Sequence, residues 1–210
     1  MISAIEALER LRAGNLRFVS DDLQYCSTPT IHARRSALVA GQEPFAIILG
    51  CSDSRVPAEI IFDQGLGDLF VIRVAGNIVG HSQVGSVEFA AAHFGTPLVV
   101  VLGHSRCGAV SATIKELQMS MECRSPGLCS IVDRIRPSVE ALLESGHQQN
   151  PDTLLQQAVR SNIHASTHHL RQGSHILKEL IQSKKLIVAG AEYSVETGAV
   201  DFFDDLPTVS

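Results

Sequence analysis

Apolar positions recur along this chain with two different periods. From Ile5 to Phe18 they return at helical spacing (Ile5, Leu8, Leu11, Leu16), which predicts a helix with Gly14-Asn15 as a weak spot near its end. The chain then turns polar from Ser20 to Pro29, and His32 to Gly41 reads as a second short helix. Beyond it, four compact apolar runs read as buried strands: Phe45–Leu49, Leu69–Val74, Leu98–Leu102 and Leu186–Ala191. Helical patterns lie between them. Pro57 opens one over Ala58–Phe62. Val84–Phe94 is another, stopped by Gly95 and Pro97. Gly108–Gln118, Ile131–Leu143 and Thr153–Leu180 are further helices, with Cys123–Cys129 as a loop. Glu196-Thr197-Gly198 reads as a turn into a last strand, Ala199–Phe203, paired antiparallel at the sheet edge. Strands alternating with helices predict an α/β fold: a mostly parallel central sheet of about four strands with an antiparallel edge strand, flanked by helices. The expected organisation is a single domain, residues 1–42 being an N-terminal helical arm and 43–210 the α/β core.

Composition narrows the function classes. The 210 residues are 45% hydrophobic and 19% charged, an ordinary globular balance. A formal charge of -5 argues against a nucleic-acid or anionic-membrane surface, and no apolar run is long enough for a membrane span. Met1 to Glu6 lacks the basic start and apolar block of a signal peptide. Five irregularly spaced cysteines do not read as a disulfide framework, so a reducing, cytoplasmic compartment is expected.

The chemistry sits where apolar runs end. Ile47-Ile48-Leu49-Gly50 stops at Cys51-Ser52-Asp53-Ser54-Arg55, and Val99-Val100-Val101-Leu102-Gly103 stops at His104-Ser105-Arg106-Cys107. The carboxyl ends of parallel strands are where open α/β sheets bind ligands. Cys51, His104 and Cys107 form a two-thiolate, one-imidazole set that favours zinc over magnesium or calcium. Three protein ligands leave a fourth position for water or substrate, as in catalytic zinc sites. Asp53 can fill that position or stand off it, and Arg55 is placed to hold it. The pair offers a switch, with Asp53 on Arg55 leaving zinc open and Asp53 on zinc closing it. Each ligand alone also reads as a core residue. Cys51 and Arg55 enclose only three residues, too few for the phosphate cradle of a thiol phosphatase. Elsewhere, Cys123 and Cys129 could pair in a disulfide, form a second metal site or stay free, the simplest reading for them and for Cys26, and His164 and His168 read as a solvated helix face. Arg34-Arg35 and Lys184-Lys185 read as solvent charges.

With Cys51-Ser52-Asp53-Ser54-Arg55 and His104-x2-Cys107, the chain resembles the β-class carbonic anhydrases. Gly14-Asn15-x-Arg17-Phe18, Gly67-Asp68-Leu69-Phe70-Val71-Ile72-Arg73 and Gly190-Ala191-x-Tyr193 extend the likeness over most of its length. The resemblance implies zinc on Cys51, His104 and Cys107, with Asp53 and Arg55 as the catalytic pair. It implies reversible hydration of CO2 to bicarbonate and a proton, with zinc-bound hydroxide as the nucleophile. Gln42, Phe70, Ala75, Phe89 and Gly108 are the implied substrate pocket. The implied assembly is a homodimer or higher homo-oligomer, with pocket walls crossing the interface and the arm wrapping the partner. Phe89 stands where many relatives carry Tyr, Ala75 replaces a commoner bulkier residue, and Ile48 stands where relatives closed by bicarbonate carry Trp. A CS2 or COS hydrolase on the same site, and a non-enzymatic sensor with Asp53 fixed on zinc, are the competing readings.

Overall fold

In the computed structural model, residues 2–25, 34–119, 125–144 and 150–203 are described. The apolar runs form β1 (Ala46–Gly50), β2 (Leu69–Arg73), β3 (Leu98–His104), β4 (Ile187–Tyr193) and β5 (Val200–Phe203). They make one sheet in the order β2-β1-β3-β4-β5, parallel except for β5, which runs antiparallel to β4. This is the architecture the sequence predicts.

Alternation along the strands splits the core into two layers. Ile47, Leu49, Val99, Val101 and Val188 point to one face. There they pack under α3 (His81–His93), α4 (Gly108–Met119), α5 (Pro126–Glu144), α6 (Pro151–Gly173) and α7 (His175–Gln182). Ala46, Ile48, Leu98, Val100 and Leu102 point the other way, toward α1 (Ala4–Val19) and α2 (Ala58–Ile61). Because both faces are covered, the central strands are apolar throughout rather than alternating. Among the described residues no helix is long and apolar enough to cross a membrane.

Several local expectations are corrected. Gly14-Asn15 does not weaken α1, because both residues serve close packing. A Cβ on Gly14 would lie 1.8 Å from the Phe62 carbonyl oxygen. Asn15 is buried, donates to the Ile61 and Gly198 carbonyls at 3.2 and 2.8 Å, and accepts from the Val200 amide at 2.8 Å. Ala7, Leu8 and Leu11 of the same helix are buried in the core. Arg34 is not a plain solvent charge, since it pairs with Asp68, which also holds Arg10 at 3.0 Å. Cys129 lies in the first turns of α5 rather than in a loop, because Pro126 pre-sets helical φ and Ser125 Oγ accepts from the Leu128 amide at 3.3 Å. Cys26 and Cys123 lie outside the described residues. The predicted helix over Thr153–Leu180 is two helices, parted where Ser174 turns extended (φ -130°, ψ 130°) and its Oγ caps α7 on the Leu177 amide. His164 and His168 are exposed, as the sequence suggests, and the His164 ring rests 4.9 Å from that of Phe203.

Candidate metal centre

The parallel register decides which residues meet. β1 and β3 are neighbours, with Gly50 opposite Leu102, so the residues that follow each strand converge at one edge. Strand β3 runs through His104, two residues further than its apolar run indicates, because pairing with β4 continues to His104 opposite Tyr193. Cys51 Sγ, a ring nitrogen of His104 and Cys107 Sγ all lie within 4.8 Å of one another, and all three residues are buried.

Each donor is held by a different device. Arg73, at the end of β2, donates to the Cys51 carbonyl at 3.0 Å and to the Asp53 carbonyl at 2.6 Å, which fixes the loop leaving β1. The Gly76 amide donates to Cys51 Sγ at 3.3 Å. His104 Nδ1 lies 2.9 Å from the Ser105 carbonyl oxygen. That oxygen can only accept, so Nδ1 carries the proton and Nε2 keeps a lone pair facing the site. Cys107 directly precedes α4, and the Ala109 and Val110 amides of the first turn favour its thiolate.

The electrostatics of the donors favour a bound cation. A hydrogen bond from Cys107 draws the Cys51 thiol well below its ordinary value against the opposing effect of burial. The same bond, then burial, pushes Cys107 up. Two thiols thus share one proton, and a divalent ion would let both ionise. His104 Nε2 is fully buried with no hydrogen-bond partner among the described residues, a costly state that a metal bond would relieve. The donor set and this orphaned nitrogen fit zinc.

Asp53 stands beside the donors. Arg55 donates to it twice, Nε to Oδ1 at 2.9 Å and Nη2 to Oδ2 at 2.8 Å, and the Arg55 amide adds a third bond at 3.0 Å. The Arg55 guanidinium, above all, holds the Asp53 carboxyl well below the usual carboxylate range. Its Oδ2 lies 3.9 Å from His104 Nε2. Arg55 Nη2 also reaches the Arg106 carbonyl at 3.4 Å, tying the two loops together.

The implied pocket residues are more dispersed. Ala75 and Gly108 flank the donors, one beside Gly76 and one after Cys107. Phe70 packs against Phe89 and Phe94 at ring distances of 6.3 and 6.1 Å, and Phe89 remains 51% exposed. Gln42 is exposed and shares a groove with Leu38, Val39 and Leu66 rather than with the three donors. Supporting residues were not singled out from the sequence: Arg73, Gly76, and Glu196, whose carboxylate accepts from Ser105 Oγ at 2.6 Å and pairs with Arg106. Only Arg73 carried a signal, a charge inside an otherwise apolar strand.

Known proteins share sequence and fold with most of this chain. The family model described as carbonic anhydrase matches residues 46–200. The chain is similar to carbonic anhydrase 2 of Mycobacterium tuberculosis, with 36% identity over 98% of this chain and 95% of the relative. Among solved structures it resembles the β-carbonic anhydrase CcaA (TM-score 0.77, 25% identity, 95% of this chain and 88% of that one). It also resembles the β-carbonic anhydrase CafA of Aspergillus fumigatus (TM-score 0.74, 26% identity, 84% of each chain).

Proposed function

Since this chain belongs to the β-class carbonic anhydrases, we propose that it catalyses reversible hydration of CO2 to bicarbonate and a proton. Zinc is held by Cys51, His104 and Cys107, and Asp53 and Arg55 are the catalytic pair. The observation that supports this most is the buried Nε2 of His104, unpartnered among the described residues and facing two thiols, with an Arg-held carboxylate oxygen 3.9 Å away.

A zinc ion so held would supply Lewis acidity, helping a water lose a proton so that its oxygen can attack CO2. The chain's own residues supply orientation. The grip of Arg55 keeps Asp53 ionised and off the donors, so its Oδ2 can accept a hydrogen bond from the attacking water and aim it. The same grip favours a working enzyme over the closed sensor, which has no need of Arg55. The working unit we propose is a homodimer or larger, in which Gln42, Phe70 and Phe89 complete pocket walls across the interface.

Stopped-flow CO2 hydration by zinc-loaded protein, scanned from about pH 6.5 to 9 with Cys51→Ser as the blank, tests the proposal. Activity that rises with pH and vanishes in the variant is expected. A trace at blank level with one zinc bound per chain would overturn it.

A further inference from the structure

Two of the buried polar side chains of helix α6 reach residues 76 and 77, and the reaction gives them no role. Asn162 and Ser166 lie one turn apart on the face turned toward the metal centre, at 2% and 5% exposure. Asn162 Nδ2 donates to the Gly76 carbonyl at 2.8 Å, and Ser166 Oγ donates to the Asn77 carbonyl at 3.0 Å. Their targets are the two residues of a tight turn that stand in left-handed backbone, Gly76 at φ 71° and Asn77 at φ 43°. For Asn77 that conformation is a strained one, kept only where neighbours hold it. The amide of that same Gly76 is the one that donates to Cys51 Sγ.

The neighbouring residue on α6 reaches the second strand of the site. A Cβ on Gly103, the residue before His104, would lie 2.5 Å from the Ile163 side chain. Glycine at 103 thus lets α6 press against β3 one residue from the imidazole donor. One stretch of one helix, residues 162–166, therefore touches the supports of both a thiolate and the histidine.

We infer that Asn162 is a positioning residue for the metal centre, with Ser166 as its second anchor: together they hold the 76–77 turn so that the Gly76 amide stays on the Cys51 thiolate. An amide donated to a thiolate withdraws electron density from sulfur and fixes the direction of its lone pairs. Without the clamp the turn relaxes from its left-handed state, the amide leaves the sulfur, and Cys51 becomes a looser and more electron-rich ligand. The inference rests on the proposed metal site and adds a residue to its support.

Cobalt-substituted protein provides the readout, since thiolate-to-cobalt charge-transfer absorption reports sulfur donation directly. Asn162→Asp keeps the shape but places an acceptor against the Gly76 carbonyl; Asn162→Ala removes the donor. Both should shift the charge-transfer band to lower energy and weaken cobalt binding, measured by chelator competition, by about 10- to 100-fold. Ser166→Ala should do the same to a smaller extent, and it carries the test if the Asn162 variants do not fold. Leu170→Ala, on the same helix two turns on and fully buried, is the control for general destabilisation. It should lower the melting temperature and leave the band in place. Folded Asn162 variants with the wild-type band and an affinity within twofold would overturn the inference, as would an equal band shift in Leu170→Ala. Wild-type protein that binds no cobalt would instead overturn the metal site itself.

Discussion

Replacing Asp63 by Asn tests what fastens the N-terminal arm to the core. Asp63 is fully buried in left-handed backbone at φ 44°, just after α2. Its carboxylate accepts from Arg17 Nε at 2.5 Å, from the Gln24 amide at 3.1 Å and from the Tyr25 amide at 3.0 Å. One side chain thus pins both the last turn of α1 and the chain that follows it. Burial pushes the carboxyl up, but the Tyr25 amide, Arg17 and the Gln24 amide outweigh it and hold it below its ordinary value. Asn is isosteric and still accepts from an amide, but it loses the charge. The bond from Arg17 is a charged one, worth about 1.5–3 kcal/mol, and the two amide bonds weaken toward the neutral value of about 1 kcal/mol each. The expected loss is about 3 kcal/mol, a fall in melting temperature of about 6–12 °C for a chain of this size. The pH dependence has a fixed sign. The folded-state pKa lies below the unfolded one, so the stabilisation is complete above the unfolded value and fades as pH falls through the folded one. Denaturant unfolding of wild type and Asp63→Asn from about pH 7 to 3 should show a gap that narrows below about pH 4. A gap under about 1 kcal/mol at pH 7, or one of constant width across the scan, would refute the account of Asp63 as an ionised anchor.

Arg55→Ala should lower CO2 hydration by at least about 100-fold while zinc content by mass spectrometry stays at wild-type level, because Asp53 loses its orienting partner. A rate within threefold of wild type would remove Arg55 from the catalytic pair. Glu196→Gln should speed zinc release by about tenfold, read by chelator-trapping kinetics, since the carboxylate holds Ser105 and Arg106 between His104 and Cys107. Gly14→Ala places a methyl 1.8 Å from the Phe62 carbonyl oxygen and should destabilise the fold by more than about 2 kcal/mol in urea; a neutral result would show that α1 can shift away at little cost. Chelation should lower the melting temperature and zinc should restore it, a stabilisation of about 3–4 kcal/mol when free zinc stands at about 100 to 1,000 times its dissociation constant.

The convergence of Cys51 with His104 and Cys107 was legible in the sequence because it needs little geometry beyond topology. Two apolar runs that become adjacent parallel strands bring their following residues to one edge, and residue type then marks the donors. The supports were not legible, because they depend on contacts between elements far apart in the chain. Asn162 reads as one more polar position on a long helix until α6 is seen to cross the 76–77 turn, 86 residues earlier in sequence. Glu196 reads as a turn residue until Ser105, 91 residues before it, is found under its carboxylate. Gly14-Asn15 was misread for the same reason. Helix propensity scores glycine and asparagine as weak, whereas tertiary contact uses the missing Cβ and the amide to seat α1 on Phe62 and the last turn. Donor identity is thus written locally, and donor geometry is written in the long-range polar contacts. It follows that substitutions at Asn162 or Glu196 should alter metal retention, and those at Asn15 stability, while leaving the Cys51–Arg55 and His104–Cys107 motifs in place.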